Sequence, residues 1–328
     1  GDASLIPAPP CELTCALNHT HNYASLFSGE TTPIVTLPIF QWRLVKGYHQ
    51  LLLSFIYHFQ TFGLKEKRYL KSCCTALLLT EPKLVNLFMY EIFSRTNAFD
   101  ILGVSDALAL LNSWILELAL AGMQLPKSFD HRYLVSALKA MFSTQHHQVV
   151  LRALTFIYQI GNMLKGEART TIFIDFFLKE EFFNLFLHWE STIRNAFHQL
   201  LVFKMVRIPR KTLRNSGFHI NQLAKQSKDN TSYDVEEFPS ANPELAIDVM
   251  IFAKIESYVR MLEDQMRSQT TNKIFPVELE VYAPKSLTEY KQYLSMYFQW
   301  EESGLKQAPP ISPLTFSQAD DLLNIRSD

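Results

Sequence analysis

The stretch QHHQVVLRALTFIYQIGNML, from Gln145 to Leu164, decides the fold class. Val149, Val150, Leu154, Ile157 and Tyr158 recur at intervals of three and four, which places them on one face of a helix, and Thr144 stands where a cap belongs. A half-buried strand would instead alternate apolar and polar residues. Nothing in this stretch does so.

The same period continues in both directions. Downstream, 168–178, 180–187 and 191–206 are each apolar on at least one face. Phe173, Phe176, Phe177, Phe182, Phe183, Phe186, Phe197 and Phe203 concentrate there, which predicts the centre of the core because each ring buries a large area. Glu180 and Glu181 read as first-turn acids offsetting a helix dipole. Upstream, Asp130 opens a helix to Phe142, and Ser105 opens a strongly apolar one that Gly122 and Pro126 end. Thr80, with Pro82 in the first turn, reads as the cap of a helix carrying Leu84, Val85, Phe88, Met89, Ile92 and Phe93. Lys67–Leu79 is a shorter helix, and a long amphipathic one runs from Ile39 to Phe59.

The period fails at 207–242, which begins basic, turns polar and ends acidic, and reads as a long loop. Asn242-Pro243-Glu244 then supplies a cap, a Pro at the first helical position and a first-turn acid, launching a helix to about Arg267. Lys273–Tyr282 reads as an extended connector bracketed by Pro276 and Pro284. Ser286-Leu287-Thr288-Glu289 reads as a capping box for a last helix to Glu302. Five regions result: an extended arm over 1–38, a helical core over 39–206, the loop 207–242, C-terminal helices over 243–303 and an irregular tail over 304–328. The expected fold is all-α, a degenerate helical-pair stack (α-solenoid) of the HEAT or armadillo kind, with no exact repeat period.

Composition agrees with that reading. Of 328 residues, 48% are hydrophobic and only 10 are Gly, about 3% against a usual ~7%. Glycine-loop nucleotide folds and turn-rich sandwiches are disfavoured. Thirty-one basic and 32 acidic residues leave a net charge of -1, so no global field favours nucleic acid or an anionic membrane. Four cysteines do not make a disulfide framework, and they favour a reduced, cytoplasmic setting. The chain lacks an initiating Met and a basic segment followed by an apolar run, and so reads as an excised piece. Ala107–Leu125 is about long enough to cross ~30 Å of hydrocarbon. Asn112 and Glu117 argue for a buried helix, with a membrane contact as the alternative.

Few residues suggest chemistry. Cys11, Cys15, His19 and His21 are four metal-ligand types within eleven residues, but their spacing matches no standard finger, and loop residues are the plainer reading. Cys73 and Cys74 point to different sides of a helix and read as packing thiols. His146 and His147 lack a nucleophile or carboxylate at an interpretable spacing. Lys204, Arg207, Arg210, Lys211 and Arg214 form the concentrated basic run. It reads either as helix-end cations or as a patch for phosphates or an anionic membrane surface. No cofactor motif is present.

The runs STQHHQVVLRALTFIY (143–158), Phe182-Phe183 and HWESTIRNAFHQLLVFK (188–204) resemble a domain of unknown function. It occurs in large fungal and related eukaryotic proteins, some described as membrane proteins, with HEAT-like helices. The resemblance covers mainly 129–207. It implies a eukaryotic helical scaffold and carries no catalytic residue across. Such proteins carry Arg at the last motif position; Lys204 here keeps the charge without the planar fork. Read as packing, Trp189 closes one helix, Ile193, Phe197, Leu200 and Leu201 continue a stripe, and Arg194 bridges helix-end carbonyls between layers; His188 belongs to the same motif.

These readings predict a non-enzymatic module that presents a helical surface to a protein partner and needs no cofactor. A peripheral membrane or phosphate-binding role for the run 204–214 is the alternative, and nucleic acid is disfavoured.

Overall fold

The computed structural model describes residues 46–57, 64–207, 243–267 and 277–304. The arm 1–38, residues 39–45 and 58–63, the quartet Cys11, Cys15, His19 and His21, the loop from 208 to 242 with Arg210, Lys211 and Arg214, the stretch 268–276 and the tail beyond 304 lie outside the described residues. The helix expected to run from Ile39 does not pass through Lys46 and Gly47, which form a turn with Gly47 at φ +82°, and a helix opens at Tyr48.

Within them the chain is all-helical and has no strand. In order the elements are α1 (Tyr48–Tyr57), α2 (Leu64–Thr80), α3 (Leu84–Arg95), α4 (Ile101–Leu120), α5 (His131–Ser143) and α6 (His147–Ile160). Next come α7 (Gly166–Arg169), which continues as a π-helix over Thr170–Glu180, and α8 (Phe182–Phe186). Then α9 (Ser191–Leu200) continues as a π-helix over Leu201–Met205, followed by α10 (Pro243–Arg267), α11 (Val277–Glu280) and α12 (Ala283–Ser303).

Helix ends follow local chemistry where a short polar side chain or a glycine stands alone. The Asp130 carboxylate accepts from Tyr133 N at 2.9 Å and opens α5. Gly122, at φ +72°, donates to Ala119 O while Met123 N reaches Leu118 O, so the last carbonyls of α4 are satisfied by a left-handed turn.

Several expected boundaries differ. Asp100, not Ser105, caps α4, accepting from Leu102 N at 3.1 Å, and Ser105 lies buried inside the helix. Thr80 ends α2 with its hydroxyl on Leu77 O, so α3 starts at Leu84 without a side-chain cap. Thr144 bonds back to Met141 O and holds His146 N, and α6 begins at His147. Glu180 ends the first π-helix, where it pairs with Lys139 across 2.6 Å, and only Glu181 precedes α8. Val277–Glu280 is a helical turn rather than an extended connector. Trp189 closes no helix: α8 ends at Phe186, and the indole is 58% exposed.

Helices that are not neighbours in the chain touch in two series. One series runs α2, α4, α6, α9, α12, and the other α1, α3, α5, the first π-helix, α10. Packing between the two series forms the core. Trp114 on α4 meets Phe88 of α3 at 5.1 Å and donates its indole N–H to Lys71 O of α2. Phe142 of α5 lies edge-on to Phe176 at 5.4 Å, and Phe177 and Phe182 both reach Phe197 of α9. The expected aromatic centre is thus dry, with Phe173, Phe176, Phe177 and Phe197 fully buried.

α4 is the one helix among the described residues long and apolar enough to cross a membrane. Here 61% of its most apolar window is buried inside the protein, against α2, α3 and α6. Asn112 is buried, with its side-chain oxygen unbonded.

Candidate functional site

Two arginines lie at the bottom of the molecule's polar chemistry. Arg169 is fully buried at the junction of α7 with its π-helix. Its Nε donates to Asp248 Oδ1 of α10 at 2.7 Å, and Nη2 reaches both that oxygen and Met205 O at the end of the second π-helix. One turn before Asp248, the Glu244 carboxylate accepts from Gly166 N at 2.7 Å. Gly166 sits at φ +53°, a conformation costly for other residues, and so turns its N–H toward Glu244. Burial pushes the Arg169 pKa below its usual range, and it pushes the Asp248 carboxyl up despite the facing guanidinium. Both partners report the same thing: desolvation outweighs their attraction.

Arg194, on α9, is 1% exposed. It holds Glu289 of α12 through Nε and Nη2 at 2.8 and 3.0 Å, a bidentate pair, while Nη1 donates to His188 O and Trp189 O. The carbonyls it takes belong to the loop just before its own helix rather than to helix ends in neighbouring layers, and the contact between layers is the one to Glu289, which local reading assigned elsewhere. Ser286 and Glu289 form no capping box, because α12 begins three residues earlier at Ala283. Both side chains turn inward.

The Ser286 hydroxyl donates to Phe186 O and lies 3.1 Å from Nε2 of His198, with both residues fully buried. A serine has one hydroxyl proton. With that proton on Phe186 O, His198 must donate through Nε2, and its Nδ1 has no partner. A serine nucleophile needs the reverse, an imidazole accepting the hydroxyl proton and a third group orienting the ring. Burial and the nearby Arg194 charge hold the His198 pKa down to about 3, so the ring is neutral at physiological pH. This contact ties α9 to α12; it does not activate a nucleophile.

The basic run does not form the expected surface patch where it is described. Lys204 is 8% exposed and lies over the Tyr158 ring, 4.8 Å from Nζ to centroid, with its pKa lowered by burial and then by Arg207. Arg207 donates to Gly161 O at the end of α6. Burial and the charge of Arg169 bring its pKa down to about 10. Both cations satisfy the interior rather than solvent.

Other sequence candidates also resolve as local structure. His146 and His147 stack at 5.2 Å. Cys74 is buried and Cys73 exposed, and both are free thiols. Among the described residues no group of three or more His, Cys, Asp or Glu could hold a metal. Phe197 packs against Phe177 and Phe182, and the half-buried His188 ring accepts from Glu190 N at 3.0 Å.

Sequence reasoning missed Arg169, His198 and Asp248. A signal was present: Arg169 precedes Ile172 and Phe173, and Asp248 precedes Ile251 and Phe252, so each charge enters an apolar helical stripe, where an unpaired charge is expensive.

Residues 85–205 match a family described as protein of unknown function (DUF1765). The match opens well before residue 129 and takes in α3 to the second π-helix. A protein of Schizosaccharomyces pombe named as a UPF0592 membrane protein is 30% identical over 81 residues, which cover 24% of this chain and 9% of that protein. The chain thus spans less than a tenth of that relative's length. No solved structure matches. These matches are consistent with the resemblance to an uncharacterised fungal family.

Proposed function

We propose that this chain is a non-enzymatic protein–protein interaction scaffold, cytoplasmic, built as a helical-pair array of the HEAT or armadillo kind. One observation carries the reading: the buried arginines Arg169 and Arg194 and the buried His198 are engaged in joining helices. Arg169 joins α7 to α10, Arg194 joins α9 to α12, and His198 meets Ser286. Groups so committed line no cleft, which leaves the outer surface to carry function. The two series of contacts favour the repeat architecture, since a stack buries each unit against its neighbours. Proximity labelling of the full-length protein tests the reading. A reproducible partner set, lost when exposed surface residues are exchanged without loss of fold, supports it; labelling no richer than an inert control sinks it.

A second reading, a peripheral membrane module, is favoured by the relative's printed name and by the apolar length of α4. The inward course of Lys204 and Arg207 leaves Arg210, Lys211 and Arg214 as its cations. Flotation with phosphatidylserine vesicles, before and after charge reversal of those three, decides it. Equal flotation of both proteins removes the basic run from consideration.

A further inference from the structure

The matched region ends at 205, yet the face made by α7, α8, α9 and the two π-helices is covered by helices from beyond it. On α12 the contacting residues are Ser286, Glu289, Tyr290 and Tyr293, spaced i, i+3, i+4 and i+7. Ser286 takes Phe186 O and His198, and Glu289 takes Arg194. Tyr290 packs on Phe186 at 5.6 Å, and the Tyr293 hydroxyl accepts from Gln199 at 3.2 Å. Farther along, Tyr297 and Trp300 lie edge-on to Phe203. This is the pattern of an amphipathic helix laid in a groove and read by one stripe. α10 presents Glu244 and Asp248, spaced i and i+4, to Gly166 and Arg169. The covered face offers two guanidinium groups and the incoming helices offer three carboxylates, so charge as well as shape matches.

The aromatic centre around Phe142, Phe176, Phe177 and Phe197 is built entirely from the matched region. These four rings pack on one another, and the covering helices reach the edge of the cluster through Tyr258 on Phe182 and Phe183 and Tyr290 on Phe186. Residues 208–242 join the two parts in sequence, a connection long enough that docking is not imposed by a short turn.

We propose that the face formed by α7, α8, α9 and the π-helices is a receptor groove for a pair of acidic amphipathic helices, and that this chain's own residues 243–304 are its resident, separable occupant. The matched region then carries a recognition surface that is filled in cis. This goes beyond the scaffold reading and stands whether or not an external partner exists.

The test uses the full chain with a specific protease site placed between 208 and 242, folded first and cleaved afterwards. The expected result is that both fragments co-elute on gel filtration, and that excess synthetic peptide of residues 243–304 exchanges with the resident fragment while the larger fragment keeps its helical signal. Glu289→Gln is expected to weaken retention by about a hundredfold, since it leaves the Arg194 charge buried without its carboxylate. Arg194→Glu with Glu289→Arg is expected not to recover it, because the His188 and Trp189 carbonyls would then face a carboxylate that cannot donate to them. Should Glu289→Gln not fold, Tyr293→Phe removes one hydrogen bond and is expected to lower retention by about fivefold. Release that occurs only together with unfolding of the larger fragment would overturn the proposal, because 243–304 would then belong to one indivisible core. So would spontaneous parting of the fragments, or retention indifferent to these substitutions.

Discussion

Arg194 and Glu289 stand 95 residues apart in the chain and meet through two hydrogen bonds of 2.8 and 3.0 Å, with the guanidinium 1% exposed. The pair is one of two points, with Arg169 and Asp248, where a helix of the matched region and a helix outside it share a charge. Removing either partner leaves the other charge or its hydrogen-bonding groups stranded away from water. Arg194→Leu and Glu289→Leu are each expected to cost about 3–5 kcal/mol of unfolding free energy, whereas the double apolar exchange is expected to lie within about 1–2 kcal/mol of the parent. Urea denaturation of the four proteins measures the cycle. Additive losses would show that the two residues do not interact.

The buried imidazole of His198 gives the chain an acid-side pH dependence. Its folded pKa, about 3, lies below the ordinary value of 6.5, so the unfolded chain binds the extra proton first. Its contribution is therefore complete above about pH 6.5 and is lost progressively as pH falls toward 3. His198→Phe is expected to flatten the stability profile through that window, and nitrogen NMR of the parent should show a neutral Nε2–H ring at pH 6. A ring that titrates near 6.5 in the folded protein would contradict the buried contact with Ser286.

What the sequence made legible is what neighbours in the chain determine. Asp130 as a cap, Gly122 as a left-handed stop, Pro243 at a helix start and the crowding of Phe residues over 173–203 all act within a few residues. Ser286 and Glu289 show the opposite case. Their spacing satisfies a local capping rule, but the partners that claim them, Phe186, His198 and Arg194, lie about a hundred residues upstream, and tertiary pairing overrides the local rule. Lys204 and Arg207 were legible as charge but not as direction, because long stems can carry a cation inward over a ring or onto a carbonyl as readily as out to water. The π-helical runs at 170–180 and 201–205 left no compositional mark at all.

Asp130 links the caps to the packing. Its carboxylate takes Tyr133 N and the Tyr90 hydroxyl, the latter at 2.6 Å, while Asn86 holds the Asp130 N–H and Ser128 O. The Tyr90 hydrogen bond and the Tyr133 N–H lower the Asp130 pKa, and that same bond, followed by burial, raises Tyr90 to about 12. The Asp130 contribution is present above its unfolded pKa of about 4 and is lost as pH falls through the lower folded value. The Tyr90 contribution is present below about pH 10 and is lost as pH rises through about 12. Tyr90→Phe is expected to cost about 1–2 kcal/mol at pH 7 and to remove its share of an alkaline loss to which the buried Tyr158, Tyr290 and Tyr297 also contribute. Thermal melts from pH 2 to 12 measure both limbs; an unchanged alkaline limb in Tyr90→Phe would place its origin elsewhere.

Gly161 tests how closely α6 and the second π-helix approach. A Cβ built there would lie 3.3 Å from the Lys204 Cβ and 3.1 Å from Ile157 O, tighter than ordinary contact. Its backbone φ is -52°, which any residue adopts, so the cost of Gly161→Ala is steric and not conformational. The carbonyl of the same residue accepts from Arg207, and Lys204 is fixed over Tyr158, so neither neighbour is free to retreat. Gly161→Ala is expected to destabilise the chain by about 1–3 kcal/mol through overpacking, and pairing it with Lys204→Gly, which vacates the opposing Cβ, should return part of that loss. Denaturant melts of the two single variants and the double measure the coupling. If the double variant loses the full sum of the two single losses, the close approach between these helices is not what the glycine serves.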